Sequence, residues 1–321
     1  MSRKALMFCA CLALAGIGPV SRAVAQTKLA VAKVANDFAL MMVDYGNSLG
    51  TFKRNGLDVE VTQITQAKMI QAVVGGSIDM ALASGATLPF IPKGAPLTGV
   101  AALSGPPSIL VLIVRPDGSI TSMDQLRGRT VAVTNRGSLT DWAVSQIAVH
   151  EHWAPSEIKR VSVGDTPARV ATLKVGDVDA AVIDLAAALK LEQRGEAKIL
   201  VNFGDLITKF QNQIIYASNR LIHDDPDAVR GFNNAWFQTL DYARSHKGET
   251  VAFAARELDV EPSIAGRVYD ALMPGGFFSK DGRFDRETLK AMSQNFVAMN
   301  LLSQDTDLSQ YVTERYLPTA R

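Results

Sequence analysis

The stretch Thr130-Val131-Ala132-Val133-Thr134, followed by Gly176-Asp177-Val178-Asp179-Ala180-Ala181-Val182-Ile183, repeats a pattern already present in Leu29-Ala30-Val31-Ala32-Lys33-Val34 and Gly76-Ser77-Ile78-Asp79-Met80-Ala81-Leu82-Ala83. The offset is 100 residues: Val31-Ala32 answers to Val131-Ala132, and Asp79 to Asp179. Short apolar, β-branched runs bounded by turn-forming residues read as buried strands. Between the members of each pair comes a second strand, residues 57–61 in the first block and 158–163 in the second. A helix start follows, Thr65-Gln66-Ala67-Lys68 against Thr166-Pro167-Ala168-Arg169, with threonine suited to the N-cap and proline to the first turn. Gly75-Gly76 and Gly176 then end the two helices, because glycine takes the left-handed C-cap conformation at least cost.

A unit that recurs in this order fixes architecture before any single motif is weighed. Strands alternating with helices imply βαβ crossovers and mostly parallel sheets. The expected fold is therefore α/β, with two doubly wound lobes joined by two hinge strands. Residues 26–112 are assigned to the first part of lobe one, 113–215 to lobe two, and 216–321 to a helical return that covers lobe one, opening at Asp225-Pro226. The joins are expected at Val111-Leu112-Ile113-Val114-Arg115 and Gln213-Ile214-Ile215-Tyr216-Ala217.

Residues 1–25 read as a secretory signal: Arg3 and Lys4 precede an apolar stretch over 5–20, and Ala23-Val24-Ala25 offers the small-x-small cleavage pattern. The expected product is a periplasmic protein without stable membrane insertion. Cys9 and Cys11, the two cysteines of the chain, lie inside that leader, so the mature protein is expected to use neither disulfide nor thiol chemistry. Taking Arg3, Lys4 and Arg22 from the 33 basic residues leaves 30 against 32 acidic ones, a net charge near −2. That balance offers no electrostatic footprint for nucleic acid or an anionic membrane, and points to a small molecule as the partner.

In open parallel sheets ligands bind beyond the carboxyl ends of the strands. In lobe one those ends carry Lys33, Asn36, Asp37 and Phe38 after the first strand, and Ser84, Gly85 and Ala86 after the third. Lys33 either meets a ligand's charge or snorkels to the surface, and Phe38 either stacks on a planar ligand or packs in the core. In lobe two, Arg136, Gly137, Ser138 and Leu139 lead into a helix whose first N–H groups could hold an oxyanion, unless Ser138 is only a cap and Arg136 only solvated. Asp184 ends the third strand there, to accept from an amine or ring N–H or to cap the next helix.

Chemistry finds less support. His150-Glu151-His152 places two imidazoles at i and i+2, which do not share a helix face, and Asp224-Asp225 before proline reads as capping. Gly-x-Ser-x-Gly, Walker and His-Glu-x-x-His patterns are missing from the sequence. No metal, cofactor or catalytic residue is expected.

Five further segments carry a resemblance: residues 50–60 (GTFKRNGLDVE), 76–81 (GSIDMA), 122–133 (SMDQLRGRTVAV), 176–181 (GDVDAA) and 225–232 (DPDAVRGF). Together, in this order, they resemble the periplasmic solute-binding proteins of nitrate, sulfonate, taurine and thiamine-pyrimidine-precursor importers. That resemblance implies a type II periplasmic binding fold, a ligand between the lobes, and delivery to an ABC permease with its ATPase; the solute is expected to be small and organic, anionic or planar, and the protein a monomer. Family contacts fall here on Asn36, Ser84, Gly85, Gly137, Ser138 and Asp184. Where many relatives have Gly-Tyr-Gln this chain has Ala32-Lys33-Val34, and where many have Trp-Glu-Pro it has Asp184-Leu185-Ala186, so nitrate or taurine does not follow. An enzyme of the pyrimidine-synthesising branch, which relies on histidine, lysine and cysteine, is the alternative, together with a sensory binding protein for a membrane receptor.

Overall fold

The computed structural model describes residues 26–304 and 306–319; the leader expected over 1–25, with both cysteines, lies outside the described residues. The strands are β1 (Thr27–Lys33), β2 (Leu57–Gln63), β3 (Met80–Ser84), β4 (Leu97–Ser104), β5 (Leu110–Val114), β6 (Thr130–Val133), β7 (Lys159–Ser162), β8 (Ala180–Asp184), β9 (Lys198–Asn202) and β10 (Gln213–Ser218). They form two five-stranded sheets in the orders β2-β1-β3-β10-β4 and β7-β6-β8-β5-β9. Position by position the two orders match. In each sheet the first three strands are parallel, while the fourth and fifth make the sheet mixed. The repeat read at an offset of 100 residues is thus a repeat of topology, and the two-lobed α/β fold is as expected.

The central strands show why. Met80 to Ala83 and Ala180 to Ile183 are fully buried, since helices cover both faces of each sheet, and a strand covered twice needs a continuous apolar run. Helix starts are fixed by side-chain caps: Ser138 for Leu139–His150, Asp184 for Leu185–Gln193 and Asp225 for Pro226–Ser245. In lobe two's Thr166–Val175 the cap is Asp165, one residue before the expected threonine, and accepts from the N–H of Ala168 at 3.0 Å.

The lobe boundaries expected at 112/113 and 215/216 fall inside strands. β5 lies wholly in lobe two's sheet and β10 wholly in lobe one's, so the crossings are residues 105–109 and 203–212. Each crossing chain pairs antiparallel with a central strand, β8 or β3, as soon as it arrives, which leaves only the residues before it to act as a hinge. The two crossings touch at a buried polar knot, where the N–H of Asn212 donates to the Ser104 carbonyl at 3.0 Å and the Asn212 carbonyl accepts from the N–H of Gly85 at 3.0 Å.

The C-terminal helices do more than cover lobe one. Pro226–Ser245 packs there as expected, with Phe232 against Phe52 at 5.0 Å between ring centroids. Pro262–Leu272 instead lies against lobe two's Leu185–Gln193, and Phe296 of Arg286–Ala298 approaches Trp142 of lobe two at 6.3 Å. Trp142 itself stacks on Phe210 of the second crossing at 4.0 Å, so the tail completes an apolar cluster that neither lobe closes alone.

Candidate ligand-binding cleft

The carboxyl ends of β1 and β3 in one lobe, and of β6 and β8 in the other, open on one cleft of about 600 Å³. That is the size of a small-molecule site. Of the residues singled out from sequence, Asn36, Asp37 and Ser84 line it from lobe one, and Ser138, Leu139 and Asp184 from lobe two.

Asp37 stands at the turn after β1 and is 7% exposed. Its Oδ1 accepts from the N–H groups of Ala39 at 3.0 Å and Leu40 at 2.8 Å, and its Oδ2 from the Gln213 amide at 3.1 Å. Burial pushes its pKa up from the usual carboxylate range to about 6, and the charge of Asp184 adds to the rise; the N–H of Leu40, then that of Ala39 and the charge of Lys33, oppose it. Gln213 opens β10, so the strand that follows the second crossing donates directly to a cleft carboxylate.

Asp184 answers from the opposite wall. It caps Leu185–Gln193 by accepting from the N–H of Ala187 at 2.9 Å, one of the two readings given to it from sequence, and it also lines the cleft. Burial raises its pKa, against the pull of the Ala187 N–H and of Arg169. Arg169 lines the same cleft while only 5% exposed; burial brings its guanidinium down to about 10, with the charges of Asp184 and Asp165 opposing. Its Nη1 donates to the Thr134 hydroxyl and its Nη2 to that of Thr166 at 2.9 Å, whereas its buried Nε has no hydrogen-bond partner. Ser84, 4% exposed on lobe one's wall, likewise has a buried Oγ without a partner.

Six of the residues singled out do not line the cleft. Lys33 is buried and held by Asp44 at 2.6 Å, Asn36 at 2.7 Å and Glu257 at 3.5 Å, so its charge is satisfied inside lobe one. Phe38, 1% exposed, turns into the core against Tyr269 and Phe278, where an aromatic ring removes most apolar area from water. Gly85 is required by the second crossing: a Cβ there would lie 2.1 Å from the Gln211 carbonyl oxygen. Ala86 is buried in the turn Gly85–Phe90. Arg136 is exposed, and the N–H of Gly137 is taken by the Asp141 carboxylate at 3.0 Å, which leaves that donor unavailable to an oxyanion. Ser138 is the helix cap, accepting from the Asp141 N–H at 3.3 Å, while still facing the cleft.

Arg169 and Gln213 escaped the reading of the sequence as cleft residues. The signal for Arg169 was present: it holds the place in lobe two's repeat that Lys68 holds in lobe one's, and both line the cleft. Gln213 carries no such signal, because its role comes from strand pairing.

Among the described residues no group of three or more His, Cys, Asp or Glu could hold a metal ion, and no helix is long and apolar enough to cross a membrane.

Solved structures share this fold. The alkanesulfonate-binding protein SsuA from Xanthomonas axonopodis pv. citri, bound to MOPS, superposes with a TM-score of 0.76 at 17% identity over 89% of this chain and 98% of its own. The periplasmic nitrate-binding protein NrtA from Synechocystis PCC 6803 does so with a TM-score of 0.71 at 13% identity, over 91% of this chain and 87% of its own. At the level of sequence, a curated relative from Candida albicans (strain WO-1), 4-amino-5-hydroxymethyl-2-methylpyrimidine phosphate synthase, is 24% identical over 220 residues, which is 64% of each chain. This chain thus spans less than two thirds of that relative's length. The family model described as NMT1/THI5 like matches residues 38–250, from the residue after Asp37 through both lobes into the C-terminal helices, and the chain belongs to that family.

Proposed function

We propose that this chain is the periplasmic substrate-binding component of an ABC importer, which captures a small organic solute between its lobes and presents it to a permease and its ATPase. One observation carries the reading: two lobes of matching topology, linked along the chain by two short crossings, contribute polar side chains from both sides to one cleft of about 600 Å³. Such an arrangement lets a guest bias the lobes toward closure, and closure creates a surface a second protein can read. Asn36, Asp37, Ser84, Ser138 and Asp184 are the ligand contacts in this reading, with Arg169 added. The sulfonate- and nitrate-binding neighbours and the secretory pattern of residues 1–25 support it. The protein works as a monomer without cofactor.

Thermal shift measurements on the mature protein with sulfonates, aromatic acids, pyrimidines and amino acids test this, since a ligand that binds only the folded state raises its melting temperature. Folded, ligand-free protein that ignores the whole panel would count against it. The synthase relatives keep an enzymatic reading in play, yet the described cleft lining includes neither histidine nor cysteine. Formation of a phosphorylated pyrimidine by the purified protein would decide for the enzyme.

A further inference from the structure

Asp37 and Asp184 come from opposite lobes and line one cavity. Any closure of the lobes therefore opposes two like charges, which is unfavourable unless something positive stands between them. Two of the described cations nearby, Lys33 and Lys190, are engaged elsewhere. Lys33 is held by Asp44 and Glu257. Lys190 is bound by Asp259 at 3.2 Å, Lys68 is exposed at the rim, and Arg169 remains on the lobe-two side with Thr134, Thr166 and the charges of Asp184 and Asp165. In keeping with this, the charge of Asp184 contributes to the raised pKa of Asp37.

A second observation is independent of the acids. Ser84 and Arg169, 4% and 5% exposed, line the same cavity from the two lobes, and each has one buried polar atom, Oγ and Nε, without a hydrogen-bond partner. Buried polar atoms are ordinarily satisfied, so an unpaired pair at a cleft marks where a guest's atoms belong. Arg169 Nε can only donate, and the serine hydroxyl can also do so, which calls for an acceptor oxygen.

We propose that the solute is bifunctional: a protonated nitrogen, as an ammonium or amidinium, bridges Asp37 and Asp184, and an acceptor oxygen of the same molecule meets Arg169 and Ser84. This rests on the binding-protein reading and narrows it. A plain oxyanion would satisfy Arg169 but leave the two carboxylates facing each other. A cleft of about 600 Å³ accommodates a molecule with both ends.

Matched probes that differ in the nitrogen test it by calorimetry on the mature protein: 4-aminobutyrate against butyrate, and 4-amidinobenzoate against benzoate. Solute released from protein purified from its native host is identified in parallel by mass spectrometry. The nitrogen-bearing member of a pair should bind about tenfold or more tightly, a single charge-assisted hydrogen bond being worth at least that much. Asp184→Asn, which keeps a helix-capping side chain, should abolish that preference. A released solute with nitrogen and oxygen at separate ends supports the assignment. Equal binding within pairs, a preference that survives Asp184→Asn, or a released solute without nitrogen overturns it and leaves the binding-protein reading standing. Protein that takes up none of the four probes and releases no small molecule overturns both.

Discussion

Asp79 and Asp179 hold the same place in the two sheets, tying each third strand to the first. Asp79 Oδ2 accepts from the N–H of Ala30 at 2.9 Å, Asp179 Oδ2 accepts from that of Thr130 at 2.9 Å, and each aspartate returns its own N–H to the same residue's carbonyl at 2.8 Å. An arginine completes both sites, Arg220 at 2.6 Å from Asp79 and Arg129 at 3.5 Å from Asp179. Either Asp→Ala change leaves a strand N–H without its partner, at a cost of about 1–3 kcal/mol. Denaturant unfolding should show a loss of that size for both variants; one site behaving as neutral would argue against their equivalence.

The carboxyl of Asp37 sets a pH dependence in the ligand-free protein. Between the ordinary carboxylate range and its raised value of about 6, the unfolded chain releases a proton that the folded state keeps. The folded state then binds more protons, so stability falls as pH rises through that window, by up to about 3 kcal/mol for a rise of roughly two units. Asp37→Asn should flatten the slope but not remove it, because Asp184 is raised too. Melting temperatures across pH 4 to 7 check this.

Binding should run the other way with pH. A cationic nitrogen favours ionised carboxylates, so the affinity for 4-aminobutyrate should rise as pH is raised through about 6 and then level off, with proton release on binding below that point. Calorimetry in two buffers of different ionisation enthalpy measures those protons. A flat profile would detach Asp37 from the ligand.

Gly85→Ala introduces a methyl group 2.1 Å from the Gln211 carbonyl oxygen, a backbone atom that cannot swing aside. Overpacking of this kind costs about 1–3 kcal/mol. The strain falls at the second crossing, so ligand exchange rates followed by stopped flow should change along with the melting temperature.

Lys190→Ala removes a contact between lobe two and the C-terminal region, where the ammonium meets Asp259 at 3.2 Å. Asp259 is fully exposed, so the pair adds at most about 1 kcal/mol to folding. Melting should scarcely move, while ligand release, which must part these elements, should quicken; unaltered release would place them together throughout the cycle.

Much of this molecule could be read from its residues. The aspartates at an offset of 100, the paired helix starts and the glycine stops gave two matching lobes, because strand and helix signals are local and recur. The lobe boundaries slipped since an apolar run such as Leu110–Val114 looks the same whether it crosses a hinge or fills a sheet. In the cleft, strand ends pointed to Asn36, Asp37, Ser84, Ser138 and Asp184, whose positions follow from topology. Phe38 takes the core reading because one neighbour along the chain can face the cleft while the next faces the core, and Lys33 meets neither of its two readings because Asp44 of the next helix and Glu257, far along the chain, hold it inside lobe one. Arg169 needed the repeat to be read for side-chain chemistry as well as for secondary structure.

The strand orders also bear on how the chain assembles. All five strands of lobe two lie between Leu110 and Asn202, so that sheet is complete once the chain has passed residue 202. Lobe one must wait for β10, without which β3 and β4 have no common neighbour. The half that starts second can finish first, and the nascent N-terminal half stays open until the chain has travelled out and back.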